Sequence, residues 1–277
     1  MSHANTGRVR PLVIHTYRTA CATVAQPPGF GDFLRGSAAL CQLSEQYGFE
    51  LQIDFSHHPL KEYLEQIDCV NTESDSDVHE FFNQANPLLE PFLSSLPDGA
   101  RAWVTTHCVP VSSLGAGCKK FLKKRLVPQQ AVMAILKDIS AQLGENYCAV
   151  HVRMGDHAIG AACPSVPVVD AWFRDVVMPE WGSRVLVFSD NSAIKEYLAM
   201  RFGVMFIPNT PVHLGQCGSI TAPRDGVRDA VIDFFVLARA RKIYQYSVYP
   251  WGSGFSDMCA RIYGIPLVKI SSQASGI

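Results

Sequence analysis

The stretch Tyr147-Cys148-Ala149-Val150-His151-Val152-Arg153-Met154-Gly155-Asp156 decides the fold class. Its apolar first half reads as a strand, and the run stops at an arginine followed by a glycine. Strand and helix patterns then alternate. A helix is expected around Val168–Val177, a strand at Arg184–Phe188, a helix at Ala193–Arg201 and a short strand at Val204–Ile207. A Gly/Pro-rich loop runs through Pro223, followed by helix Gly226–Ala240, strand Lys242–Tyr246, helix Phe255–Tyr263 and strand Pro266–Ile270. This rhythm belongs to a doubly wound α/β layer around a parallel sheet.

The same rhythm opens the chain. Pro11–Tyr17 reads as a strand, and a loop ends in Gln26-Pro27-Pro28-Gly29-Phe30-Gly31-Asp32. From Phe33 to Tyr47, Leu34, Ala38, Leu40, Cys41 and Leu43 recur at helical spacing. Gly48 is a stop signal, and Phe49–Phe55 reads as the next strand. Ala102–Thr106 is a further strand, and Gln129–Leu143 is a helix placed to bridge two lobes. Residues 57–98 are mixed and acidic, and the run Glu73–Asp77 reads as a solvated turn. The basic cluster Lys119, Lys120, Lys123, Lys124 and Arg125 reads as an exposed helix face. The expected organisation is two Rossmann-like domains facing a cleft, 1–126 and 127–277.

Composition narrows the function. With 24 basic and 25 acidic residues among 277, the chain has no polyelectrolyte signature, which argues against general nucleic-acid or anionic-membrane binding. Charged residues at 18% and hydrophobic ones at 48% describe a folded chain. The nine cysteines are odd in number and form no CxxC pair, so neither a disulfide framework nor a zinc knuckle is expected. A reducing, cytoplasmic setting fits, because no signal-peptide pattern or run of about 18 apolar residues occurs.

In a doubly wound sheet, ligands bind beyond the carboxyl ends of the strands. Three clusters fall there: His151–Asp156, Ser189-Asp190, and Ser253-Gly254-Phe255-Ser256 before a helix. Taken singly, each has a bland reading, a surface salt bridge or an ordinary turn. Sharing one edge, they describe a diphosphate site, with a guanidinium and free backbone N–H groups aimed at the anion.

His151-Val152-Arg153-Met154-Gly155-Asp156 resembles the HxRxGD-type motif of the fucosyltransferase superfamily. That superfamily contains the nodulation-factor and core-fucose enzymes, the protein O-fucosyltransferases and bacterial blood-group-type enzymes. By average composition the pattern arises by chance in on the order of one in a thousand chains of this length. Pro28–Leu34 resembles the family's GFGD or GFGN loop, Val187–Asn191 its intervening strand, and Asp233 through Ser256 its C-terminal donor motif. Residues 56–145 match no part of it, and Met154 stands where many members carry a second arginine.

The resemblance implies a GT-B type fold and metal-independent, inverting sugar transfer, most simply of fucose from GDP-fucose to a glycan hydroxyl. It assigns Arg153 to the β-phosphate, and His151 and Asp233 to the nucleoside, with Asp190 nearby. Ser253, Gly254, Phe255 and Ser256 would cradle the phosphates. Gly29, Phe30 and Gly31 would form the donor-side loop, and Asp32 would act as general base with Asp156 as its rival. Another donor such as UDP-xylose stays open, and so does a non-catalytic glycan- or nucleotide-binding module on the same fold.

Other chemistries fit less well. Gly29-Phe30-Gly31 with Asp54 imitates a dinucleotide fingerprint, but Gly36 comes two places late for the third glycine. Cys163 with His157 forms no recognised nucleophile pattern. His57, His58, His151 and His157 lack metal-ligand spacing. Trp103, His57, His58 and Trp172 are candidates for sugar contact whose bland reading is packing.

Overall fold

The computed structural model describes residues 9–18, 27–65, 78–82, 87–108, 110, 113–155, 166–214 and 224–271. Two parallel sheets organise the chain. In the first, β1 (Leu12–Thr16) lies between β2 (Glu50–Asp54) and β4 (Arg101–Thr106), with β3 (Val78–Phe81) at the edge beyond β4. The second follows the order β7-β6-β5-β8-β9, built from Cys148–Arg153 (β5), Val185–Ser189 (β6), Met205–Phe206 (β7), Lys242–Ser247 (β8) and Leu267–Ser271 (β9). All strand pairs within the two sheets are parallel. This is the GT-B type architecture expected from the sequence.

The second sheet winds outward from β5 in both directions, so its topological switch point lies between β5 and β8, beside Arg153. Every residue of β5 is buried, which is why the strand opens on the apolar run Cys148-Ala149-Val150.

The helices are α1 (Phe30–Tyr47), α2 (Leu89–Ser94), α3 (Ala116–Arg125), α4 (Gln130–Leu143), α5 (Val166–Trp172), α6 (Met178–Trp181), α7 (Ser192–Phe202), α8 (Arg224–Leu237) and α9 (Gly254–Tyr263). A π-helical turn at Phe173–Val177 joins α5 to α6. Glycine explains the tightest contact. A Cβ on Gly36 would collide with the Thr106 carbonyl oxygen, so its absence lets α1 lie against the end of β4.

One apolar core extends from the first sheet through α1, α4, α8 and α9 onto one face of the second sheet. A second cluster fills the opposite face beneath α5 and α7. Phe30 of α1, Phe234 of α8 and Phe255 of α9 form an aromatic triangle joining the two halves, with centroids 4.8, 5.9 and 5.6 Å apart. The chain also pairs across the halves at the backbone: Glu65 N–H donates to Val127 O at 2.8 Å, and Gln129 N–H to Tyr63 O at 2.9 Å. No helix among the described residues is long and apolar enough to cross a membrane.

Two elements of the first half depart from the sequence expectation. Strand β3 and helix α2 lie in the stretch read as mixed and acidic; the run Glu73–Asp77 itself lies outside the described residues. The third difference matters for function. Phe30, Gly31 and Asp32, expected in a loop, form the first turn of α1.

Candidate functional site

A cleft opens at the switch point. Gly29, Phe30, Gly31, Asp32, His151, Arg153, Asp190, Asp233, Ser253, Gly254 and Phe255 all line it. It is built where two helix starts meet. The Gly29 N-cap of α1 and the Ser253 N-cap of α9 make no side-chain capping hydrogen bond, so the first-turn N–H groups of both helices remain for a ligand. Gly31 makes the approach possible: a Cβ there would collide with the Gly254 carbonyl carbon and the Phe255 nitrogen. Two converging positive helix ends favour an anion.

Arg153 ends β5 beside them and is buried. Its guanidinium pairs with Asp190, whose carboxylate also accepts the N–H of Met154 at 2.9 Å and of Gly155 at 3.3 Å. Asp190 therefore holds the arginine and the turn after it. The turn needs glycine: Gly155 has φ +99°, and a Cβ would lie 2.8 Å from Val248 Cγ2. Met154, at the position of the family's second arginine, is buried in the core. Asp156, His157 and Cys163 lie outside the described residues.

Ser256 is a correction. It does not line the cleft and is fully buried. Gln245 Nε2 donates to Ser256 Oγ at 2.7 Å, and Ser256 Oγ bonds His151 Nδ1 at 2.8 Å. Among the described contacts Nδ1 is the one acceptor within reach of the hydroxyl hydrogen, which assigns the imidazole proton to Nε2. Burial pulls the His151 pKa down to about 4, with Asp190 opposing the shift and Arg153 adding to it, so the ring is neutral. Ser256 thus reaches the cleft through His151 and not as part of its lining.

Gln245 also fixes the loop after β8. It donates to Ser253 O at 2.9 Å and accepts from Ser253 N–H at 3.0 Å. Beyond this clamp, Trp251 stands 58% exposed at the cleft, stacked on Tyr249 at 5.1 Å.

Asp32 sits on the first turn of α1, paired with Arg35 at 2.8 Å, its side chain 36% exposed. His213 stands near it: a Cβ on Gly29 would lie 3.2 Å from His213 Nε2 and 3.6 Å from Asp32 Oδ2. Asp233, on α8, is buried, and its pKa is raised to about 7 by desolvation, against the Asn209 hydrogen bond and Lys195, with Asp229 adding to the rise.

Sequence reasoning missed His213, Trp251 and Asn209. Each occupies an irregular segment with no periodic signal, and the Pro/Gly-rich 207–223 stretch reads only as a loop. His58 and Trp172 are buried among other side chains and absent from the cleft lining, which makes them packing residues. Among the described residues, no group of three or more His, Cys, Asp or Glu is arranged to hold a metal ion.

The chain matches no protein-family model and no curated protein sequence. Solved structures do resemble it. The NodZ alpha-1,6-fucosyltransferase soaked with GDP-fucose superposes with a TM-score of 0.63 at 16% identity, covering 97% of both chains. A mutant of Arabidopsis thaliana FUT1 in complex with GDP gives 0.53 at 11% identity, over 96% of this chain and 71% of that one. POFUT1 in complex with GDP-fucose gives 0.50 at 10% identity, over 96% and 99%.

Proposed function

We propose that this protein is an inverting glycosyltransferase that moves fucose from GDP-fucose to a hydroxyl of a glycan acceptor. Residues 127–277 would hold the donor and 1–126 would face the acceptor. The observation that carries the reading is the meeting of two uncapped helix starts beside Arg153. Three structures of the same fold, solved with GDP or GDP-fucose, support the choice of donor.

In this scheme the acceptor O–H gives its proton to Asp32 as its oxygen attacks the anomeric carbon. The bond from that carbon to the diphosphate breaks, and the electron pair leaves with GDP. Arg153 and the N–H groups of Gly254 and Phe255 meet the charge that develops there, so preorganised donors, and no metal ion, carry the leaving group in this proposal. His151, donating from Nε2, and Asp233 read the base. Five described cysteines, Cys41, Cys108, Cys118, Cys148 and Cys259, are buried free thiols, in keeping with a reducing, cytoplasmic setting.

Calorimetric titration with GDP, UDP, GDP-fucose and UDP-xylose in EDTA tests the proposal. The expected result is GDP-selective binding, with turnover lowered at least ~100-fold in Arg153→Ala. UDP selectivity would move the donor to UDP-xylose or a similar sugar. No binding by any of the four would favour a non-catalytic module.

A further inference from the structure

Lys195, on α7, is 1% exposed. A buried ammonium must find acceptors for all its hydrogens, and Lys195 spends its bonds on one short segment beyond β7. It donates to Ile207 O at 3.2 Å, to Asn209 O at 2.6 Å and to Asn209 Oδ1 at 2.9 Å. An ammonium has no acceptor, so Asn209 must turn its oxygen toward Lys195 and its NH₂ the other way. There Asn209 Nδ2 donates to Asp233 Oδ1 at 2.6 Å. The polarity of the chain runs one way, from cation through amide to carboxyl.

The segment is also held against α8. Thr210 N–H donates to Asp229 Oδ2 at 3.1 Å, and Val212 N–H to Gly226 O at 3.0 Å. A few residues on, Pro211, Val212, His213 and Leu214 become cleft wall.

We propose that Lys195 is a positioning residue that, through Asn209, fixes Asp233 as the base-reading carboxyl of the cleft. The proposal rests on the glycosyltransferase reading for the identity of the ligand. With Oδ1 committed to Asn209, Asp233 presents its remaining acceptor capacity in one orientation. That suits a base carrying a ring N–H next to an amine, the guanine type. It does not suit one whose single N–H lies between two carbonyls, the uracil type. The charged groups bearing on Asp233 are Lys195 from α7 and Asp229 on its own helix, while His151 and His213 line the same cleft.

The test compares wild type, Lys195→Met and Asn209→Ala by titration with GDP, UDP and inorganic pyrophosphate. Both variants should lower the GDP-over-UDP preference about tenfold, with pyrophosphate affinity held within about twofold. Asn209→Ala keeps the experiment decisive if the lysine variant folds poorly. Equal loss for all three ligands, or an unchanged preference, overturns the proposal. A second readout needs no ligand. Carbon-13 NMR of the Asp233 carboxyl in free protein should show its titration moved upward in Lys195→Met, because the neighbouring cation is gone. If wild type shows no GDP preference, the donor reading fails, and Lys195 is judged on this arm: an unmoved titration overturns its role.

Discussion

Gly31→Ala probes the meeting of the two helix starts directly. The added Cβ would be driven into backbone atoms of Gly254 and Phe255, and would also lie 2.9 Å from the Gly254 carbonyl oxygen. Backbone at a helix start cannot rotate aside as a side-chain tip can. Carbon contacts settle near 3.5–4 Å, so α1 and α9 must separate by roughly 1 Å. That separation strains the Phe30–Phe234–Phe255 triangle. Overpacking of this kind costs about 1–3 kcal/mol, which lowers Tm by roughly 2–12 °C in a chain of this size. A shift of about 1 Å at the reacting groups also lowers turnover ~100-fold. Gly48→Ala is the control. Gly48 has φ +76° with nothing within 4 Å, so alanine there strains only the backbone, by about 1 kcal/mol. Scanning fluorimetry and GDP titration should find both variants destabilised, and only Gly31→Ala impaired in binding. A Gly31→Ala protein with Tm within about a degree of wild type and full GDP affinity would refute the described helix contact.

Asp32→Asn should lower turnover ~10²–10⁴-fold while GDP affinity stays within about twofold, and an equal loss of affinity would contradict its assignment as base. Asp190→Asn removes the ionic partner of Arg153, and single-turnover kinetics should show a rate loss smaller than that of Arg153→Ala; full activity would count against the clamp. Acid should destabilise the fold. Burial holds His15 at about 3, His151 at about 4 and His58 well below its ordinary value, so the unfolded chain takes up protons first as pH falls below 6.5. Asp233, raised to about 7, works in the opposite sense: its stabilisation is full below pH ~4 and lost as pH rises to 7. Three histidines against one carboxyl leave a net loss of stability from pH 7 to pH 5, growing in Asp233→Asn; urea unfolding at the two values checks it, and a flat profile contradicts it.

The second sheet was legible because β5 and β6 are buried throughout and open on apolar runs, with helix-length stretches between the strands. Strand β3 was not. It has four residues, pairs among the described residues with β4 alone, and alternates without a consistent apolar face. Helix α2 spans six residues with Pro91 inside it, and proline reads as a stop although the first turn of a helix tolerates it. Of the residues expected at the site, those on strand ends and helix starts line one cleft because topology brings such positions to one edge. Ser256 was misread because a hydroxyl one turn into α9 gives no sequence sign of facing Gln245 or the cleft. Lys195 was invisible for the opposite reason: a lone lysine in a helix is ordinarily solvated, and only its contact with Asn209 marks it.

The reading of Gly29-Phe30-Gly31-Asp32 as a loop carried the largest functional consequence. Two glycines in four residues signal a turn by every local rule, and the apolar helical spacing begins only at Phe33. Yet Gly31 is needed inside the helix, because α1 starts where α9 starts and only a residue without a side chain fits between them. The constraint is tertiary and cannot be seen within a window of neighbours. It also changes the chemistry assigned to the segment. A loop would offer Asp32 alone, whereas a helix start offers Asp32 together with free N–H groups facing those of α9 across one cleft. The carboxylate that would take a proton and the donors that would hold a leaving phosphate then belong to one rigid junction. A perturbation of that junction should alter both functions together, while Asp32→Asn should alter only the first.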